Sequence, residues 1–231
     1  MSNTKALITD IFSSIQGEGL DIGKRQIFIR FANCNLDCEF CDTDDKNQKE
    51  LSLQDILSEV DNLNIERIHN SIVLTGGEPL CQSDFLKHLL PELQERGFKI
   101  FLETNGTLCD ELDSLIDFID TLAIDIKLPS VSKNEPCWDL HKKFLEIAFN
   151  REFFVKLIVS SELDMADFDK AVALMKEISF DIPFIIQPQT HKDSLELNIE
   201  GNKLLELQQL ALKSLNNVLV IPQAHKMLKV K

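Results

Sequence analysis

Three cysteines stand together in the segment CNLDCEFC, residues 34–41, at C-x-x-x-C-x-x-C spacing, and neither a fourth cysteine nor a histidine follows close behind. Soft thiolates select zinc, copper(I) or iron–sulfur clusters. A structural zinc site closes its shell with four ligands, so zinc would need a donor from a distant segment, such as His69 or Cys81. Iron–sulfur clusters are usually held by four cysteines, and three would leave one iron open to an outside ligand. An open coordination position is a feature of catalytic metals. The spacing therefore poses two chemistries: a zinc-bound interaction module, or a cluster that binds a substrate or cofactor directly.

The remaining cysteines, Cys81, Cys109 and Cys137, stand alone and read as small buried hydrophobes. The opening stretch MSNTKALITDIF lacks the basic-then-apolar layout of a secretory signal, which suggests a cytoplasmic protein whose six cysteines are not a disulfide framework. No apolar run approaches a membrane span, so no membrane partner is expected. A formal net charge of −14 opposes nucleic acid as a partner, and the basic tail HKMLKVK reads as a solvated end. With 231 residues and no linker or repeat, the chain reads as a single domain over residues 1–231.

The elements that must position the cysteines alternate. Apolar strands are expected at 26–32, 71–75, 98–104, 121–127, 153–160 and 183–189, with NVLVIP near the end. Between them lie helical stripes. One is LSLQDILSEVDNL, with Ser52 and Asp55 placed as a capping box; another is SDFLKHLLPELQERG, with Pro91 inside and Gly97 as its stop. Strands alternating with helices imply parallel strands with right-handed crossovers. The unit count falls short of eight, so the expected fold is an α/β, incomplete (β/α)6-type TIM barrel, with an open doubly wound sheet as the alternative.

In both folds ligands meet the C-terminal ends of the strands. Those ends carry Cys34, Cys38 and Cys41, then TGGEP (75–79), ETNGT (103–107), Asp125 with Lys127, and QPQT (187–190). Five strand ends aiming polar groups at one rim point to a site there.

An apolar strand leading into CNLDCEFC, with GGEP one βα unit later, resembles the radical S-adenosylmethionine superfamily. The stretch IFSSIQGEGLDIGKRQIFIRFANCNLDCEFCDT is similar to the start of one branch, the 7-carboxy-7-deazaguanine synthases. The similarity continues through TGGEP, ETNGT, DIK, IIQPQ and IPQAHK in matching order. It implies a lyase of queuosine and 7-deazapurine biosynthesis that converts 6-carboxy-5,6,7,8-tetrahydropterin to 7-carboxy-7-deazaguanine and releases ammonia.

The resemblance also implies roles. Cys34, Cys38 and Cys41 would hold a 4Fe-4S cluster whose open iron takes the amino and carboxylate groups of S-adenosylmethionine, and Thr43 would serve a magnesium ion. Ile15, Gln16, Gly17, Arg30 and Thr75 would bind the pterin, assisted by Glu18, with Arg30 gripping its carboxylate. Gly77, Asp125, Ile126, Lys127, Gln187, Pro188, Gln189 and Thr190 would bind S-adenosylmethionine. Many members carry serine where this chain has Asp125, and some close the pocket with a terminal proline where this chain has Lys231. A homodimer and a flavodoxin- or ferredoxin-like electron donor, docking near Lys24 and Arg25, complete the expectation. The alternative activity is a radical activase that generates a glycyl radical on a partner enzyme.

Overall fold

The structure is a computed structural model and describes residues 5–41, 47–191 and 194–231. Strands β1 (Lys5–Ile15), β2 (Arg25–Phe31) and β3 (Lys49–Ser52) open the chain, followed by helix α1 (Leu53–Leu63). Regular alternation then runs through β4 (Ser71–Gly76), α2 (Ser83–Glu95), β5 (Lys99–Thr104), α3 (Cys109–Leu115) and β6 (Thr121–Asp125). It continues through α4 (Pro129–Ser132), α5 (Trp138–Ala148), β7 (Glu152–Val159), α6 (Met165–Ile178), β8 (Phe184–Pro188), α7 (Gly201–Ala211), β9 (Val218–Val220) and α8 (Ala224–Leu228).

The strands form one sheet in the order β3-β1-β2-β4-β5-β6-β7-β8-β9. From β2 onward every neighbouring pair is parallel, so six crossovers join the seven strands read from the apolar runs. This is the expected partial barrel. Local signals hold as well: Ser52 and Asp55 close a capping box on α1, and Gly97 turns the chain after α2 at φ +84°.

The antiparallel strands β1 and β3 are additions to the expected fold. Strand β1 escapes a period-two reading because its register against β2 shifts between Ile8 and Asp10. A bulge there resets which face the side chains take. Ala6 and Ile8 pack into the main core under the helices, whereas Phe12, also at an even position, joins the opposite, inner face.

That inner face is layered. Phe28, Val73, Phe101, Ala123, Phe154 and Ile185 form an apolar floor, with Phe12 stacked on Phe28 at 5.1 Å. Two residues further along each strand, on the same side because strand side chains alternate, stand Arg30, Thr75, Glu103, Asp125, Lys156 and Gln187. The fold thus seals the barrel below and presents a polar layer above.

Candidate active site

The polar layer lines a cavity of about 460 Å³ that also takes in Cys34, Cys38 and Cys41. Of the residues singled out in the sequence, Ile15, Gln16, Gly17, Glu18, Arg30, Thr75, Gly77, Asp125, Lys127, Gln187, Gln189 and Thr190 line it as well. Ile126 and Pro188 do not: alternation turns both to the other side of the sheet, and Ile126 is buried in the helix-side core. Thr43 lies outside the described residues.

The cysteine loop is built on backbone contacts. Strand β2 ends at Phe31, and Gly77 N–H donates to the Phe31 carbonyl at 3.0 Å while Glu78 N–H donates to the Asn33 carbonyl at 2.8 Å. A Cβ on Gly77 would sit 1.9 Å from the Asn33 oxygen, so only glycine permits the approach. Glu78 is buried, and its carboxylate accepts from Leu80 N–H at 3.1 Å, Asn105 N–H at 2.7 Å and the Thr104 hydroxyl at 3.0 Å. Burial pushes this carboxyl up to about 7, against the pull of those donors. The motif residue therefore braces the next strand end rather than facing the cavity.

From that braced end Asn105 reaches the cysteines. Its Nδ2 donates to Asn35 Oδ1 at 2.8 Å and lies 3.7 Å from Cys34 Sγ, and Asn35 Nδ2 donates to Thr107 Oγ1 at 2.8 Å. Burial pushes the Cys34 and Cys38 thiols above the ordinary cysteine value. Among the described residues no three His, Cys, Asp or Glu side chains converge on a single-ion site. Three free thiols on one short loop at the cavity rim suit a multinuclear cluster, which spreads its ligands more widely than one ion does.

The facing wall is ionic. Lys156 pairs with Glu18 and lies 3.7 Å from Asp125, and Lys127 pairs with Asp125 at 2.8 Å. Burial alone would raise the Glu18 carboxyl, but the Lys156 ammonium and the Gln223 amide hold it well below the usual range. Burial likewise opposes the charge on Lys156, yet Glu18, Asp125 and Glu103 keep it firmly protonated. Glu103 accepts from Thr75 Oγ1 at 2.6 Å and from Gln16 Nε2 at 3.0 Å. Arg30 Nε, Asp125 Oδ1 and Gln187 Oε1 are buried with no hydrogen-bond partner among the described residues. Buried polar atoms are normally satisfied, so these three are the groups left for a ligand.

Glu103 and Asn105 belong to the ETNGT strand end read as facing the rim but were given no role there, and Lys156 was not singled out, although Glu103 and Lys156 repeat the apolar-x-polar pattern of Phe28-x-Arg30. Two other expectations change. The tail is solvated only in part: Met227, Leu228, Lys229 and Lys231 are exposed, but Ala224 N–H donates to the Gly17 carbonyl at 2.8 Å, Ser14 Oγ donates to the Lys231 main-chain oxygen at 2.6 Å, and His225 and Lys231 reach the cavity. Of the isolated cysteines Cys109 is buried, whereas Cys81 is exposed and Cys137 half-buried.

The sequence model of the radical SAM superfamily matches residues 28–159. A Geobacter sulfurreducens protein named 7-carboxy-7-deazaguanine synthase is 38% identical, over 98% of this chain and 98% of its own. One of the same name from Methanothermobacter thermautotrophicus is 32% identical over 97% of each. Among solved structures, QueE from Escherichia coli superposes with a TM-score of 0.66 at 20% identity, covering 96% of this chain and 95% of that one, a likeness of fold.

Proposed function

This chain belongs to the radical SAM superfamily and, within it, to the 7-carboxy-7-deazaguanine synthases, and from that premise we propose how its cavity turns 6-carboxy-5,6,7,8-tetrahydropterin into 7-carboxy-7-deazaguanine with release of ammonia. The observation that carries the assignment of sites is that one cavity has three free thiols on one side and unpartnered buried polar atoms on the other.

Cys34, Cys38 and Cys41 hold the 4Fe-4S cluster, and Asp125, Lys127, Gln187, Gln189 and Thr190 take S-adenosylmethionine. When bound, these groups supply the one-electron cleavage that starts hydrogen-atom abstraction from the substrate. Arg30 presents its free Nε to the pterin carboxylate, its guanidinium carbon 5.5 Å above the Phe12 ring. Glu103, held in place by Gln16 and Thr75, accepts hydrogen bonds from the donor edge of the pterin ring. The apolar floor closes the cavity from below and keeps water from the reacting atoms.

Thr43 would offer its hydroxyl to a magnesium ion, which would supply charge stabilisation and help to orient the substrate. The enzyme is a single-domain, cytoplasmic homodimer that takes electrons from a flavodoxin- or ferredoxin-like donor docking near Lys24 and Arg25. Light scattering checks the dimer, and loss of donor-driven reduction at high salt checks the docking site.

The deciding experiment is anaerobic reconstitution and reduction, followed by S-adenosylmethionine, magnesium and 6-carboxytetrahydropterin. Mass-spectrometric detection of 7-carboxy-7-deazaguanine is the expected result. Deoxyadenosine without that product would leave the superfamily and remove the substrate. Deoxyadenosine only with a protein partner present would turn the reading to the activase.

A further inference from the structure

The cysteine loop is gripped by one neutral side chain that does not itself line the cavity. Asn134 Nδ2 donates to Cys38 Sγ at 3.0 Å, and Oδ1 of the same amide accepts the Asp37 backbone N–H at 3.2 Å. Cys34 Sγ has longer contacts, Leu36 N–H at 3.4 Å and Asn105 Nδ2 at 3.7 Å. The closest of these contacts to a cysteine sulfur thus comes from a segment nearly a hundred residues away.

The fold is shaped to deliver that amide. After β6 the chain enters the short helix α4, whose buried Ser132 accepts the Glu39 N–H on its carbonyl at 3.1 Å. The Ser132 hydroxyl accepts the Asn134 N–H at 3.3 Å. Between them Lys133 takes a left-handed backbone at φ +62°, a conformation non-glycine residues seldom adopt. Its ammonium is anchored to Glu162 at 2.6 Å and to the Ser130 carbonyl at 2.6 Å. A strained turn that is anchored twice, and that aims one amide at one sulfur, is a built feature.

An N–H donor to a ligating sulfur stabilises negative charge on it, and a cluster gains negative charge when it is reduced. Hydrogen bonds to the sulfurs are among the factors that set cluster potentials. We propose that Asn134 is a positioning residue that holds the 37–39 turn and raises the cluster's reduction potential through its hydrogen bond to Cys38. The inference rests on the reading that Cys34, Cys38 and Cys41 hold the cluster. Its neutrality matters: the amide eases electron entry without adding a full charge beside the site where a cationic sulfonium must bind.

The test is an EPR-monitored potentiometric titration of the reconstituted enzyme. In Asn134→Ala the reduced-to-oxidised ratio at fixed potential falls about threefold, a downward shift of about 30 mV at 59 mV per tenfold. In Asn134→Asp, which keeps an acceptor for Asp37 N–H but turns a carboxylate oxygen to the sulfur, the ratio falls about tenfold, or about 60 mV. Amide exchange of residues 35–40 in cluster-free protein rises in the alanine variant and stays near wild type in the aspartate variant. Alanine at the wild-type potential overturns the proposal, whatever the exchange data show, and a drop confined to aspartate reports added charge and overturns it equally. A drop in alanine that aspartate does not share reports loop loosening alone and also overturns it. If the alanine variant takes up no cluster, Asn134→Ser serves as the neutral variant. Wild-type protein that takes up no cluster refutes the cluster reading itself, which separates that failure from a failed potential shift.

Discussion

Around the cysteine loop, a chain of neutral amides runs to the sulfurs: Asn35 accepts from Asn105, Asn105 lies against Cys34 Sγ, and Asn134 donates to Cys38 Sγ. Along the facing wall the side chains are interlocked charges: Glu18 with Lys156, and Asp125 with Lys127 and Lys156. The difference follows from what each side must hold. A thiolate loop already brings negative charge, with the Lys127 ammonium close by at 5.4 Å from the Phe40 ring centre, and the neutral donors steady the sulfurs without adding further positive charge. The wall must be rigid in a buried setting, where opposite charges hold a geometry only in pairs, since an unpaired buried ion is costly. Each arrangement predicts its own response to substitution.

The largest effect belongs to the ionic wall. Lys156→Met leaves Glu18 without its cation and is expected to lower stability by about 3–5 kcal/mol, read by chemical denaturation. The paired replacement Glu18→Gln/Lys156→Met is expected to recover most of that loss. A single variant as stable as wild type would mean the wall is not held by this pair, and the comparison would fail.

Glu78 is a buried acid on the neutral side, and it sharpens the contrast through pH. Its folded value of about 7 lies above the ordinary 4.5. The folded state therefore binds the proton more tightly than the unfolded state. The stability this group contributes is fully present below about pH 4.5 and is lost as pH rises through about 7, about 3 kcal/mol in all. Glu78→Gln removes that slope. It also sets an amide donor against a backbone N–H, at a cost of about 1–3 kcal/mol. The variant should be the less stable protein at pH 5 and draw level with wild type by pH 8 in parallel denaturation curves. A constant gap across that range would show that Glu78 does not titrate there.

Arg30 is the exception on the charged wall, the group whose Nε is left free. Arg30→Ala is expected to weaken pterin binding about 100-fold while uncoupled cleavage of S-adenosylmethionine stays within about threefold of wild type. Equal loss of both activities would return Arg30 to a structural role and leave the wall with no substrate clamp.

How much of this was legible differs by element. The parallel strands were readable because strands buried on both faces must be continuously apolar. Strand β1 was not, because its bulge moves even-numbered residues from one face to the other partway along. The strand-end motifs led to the right rim, but taking DIK and QPQ as whole runs ignored alternation, which turns Ile126 and Pro188 away. Glu103 and Lys156 were within reach, since each stands two residues past a floor residue, Phe101 and Phe154. Asn134 was beyond reach: its contact with Cys38 depends on a left-handed turn at lysine, and no local pattern announces one.

The smallest predicted effect tests the neutral side where it is most exposed. Asn35 joins Asn105 to Thr107 through two hydrogen bonds, each at 2.8 Å. Water can replace an exposed amide's partners, so the net worth of such bonds is small, and Asn35→Ala should cost about 1 kcal/mol in denaturation. No charge is lost, so that cost should be the same at pH 6 and pH 8. A cost that changes between those values would mean the Asn35 bonds are relayed through Asn105 to the Glu78 carboxyl, which accepts the Asn105 N–H at 2.7 Å. The cysteine loop would then feel the protonation of a buried acid at the end of the neighbouring strand, and its neutrality would be local to the amides that touch it.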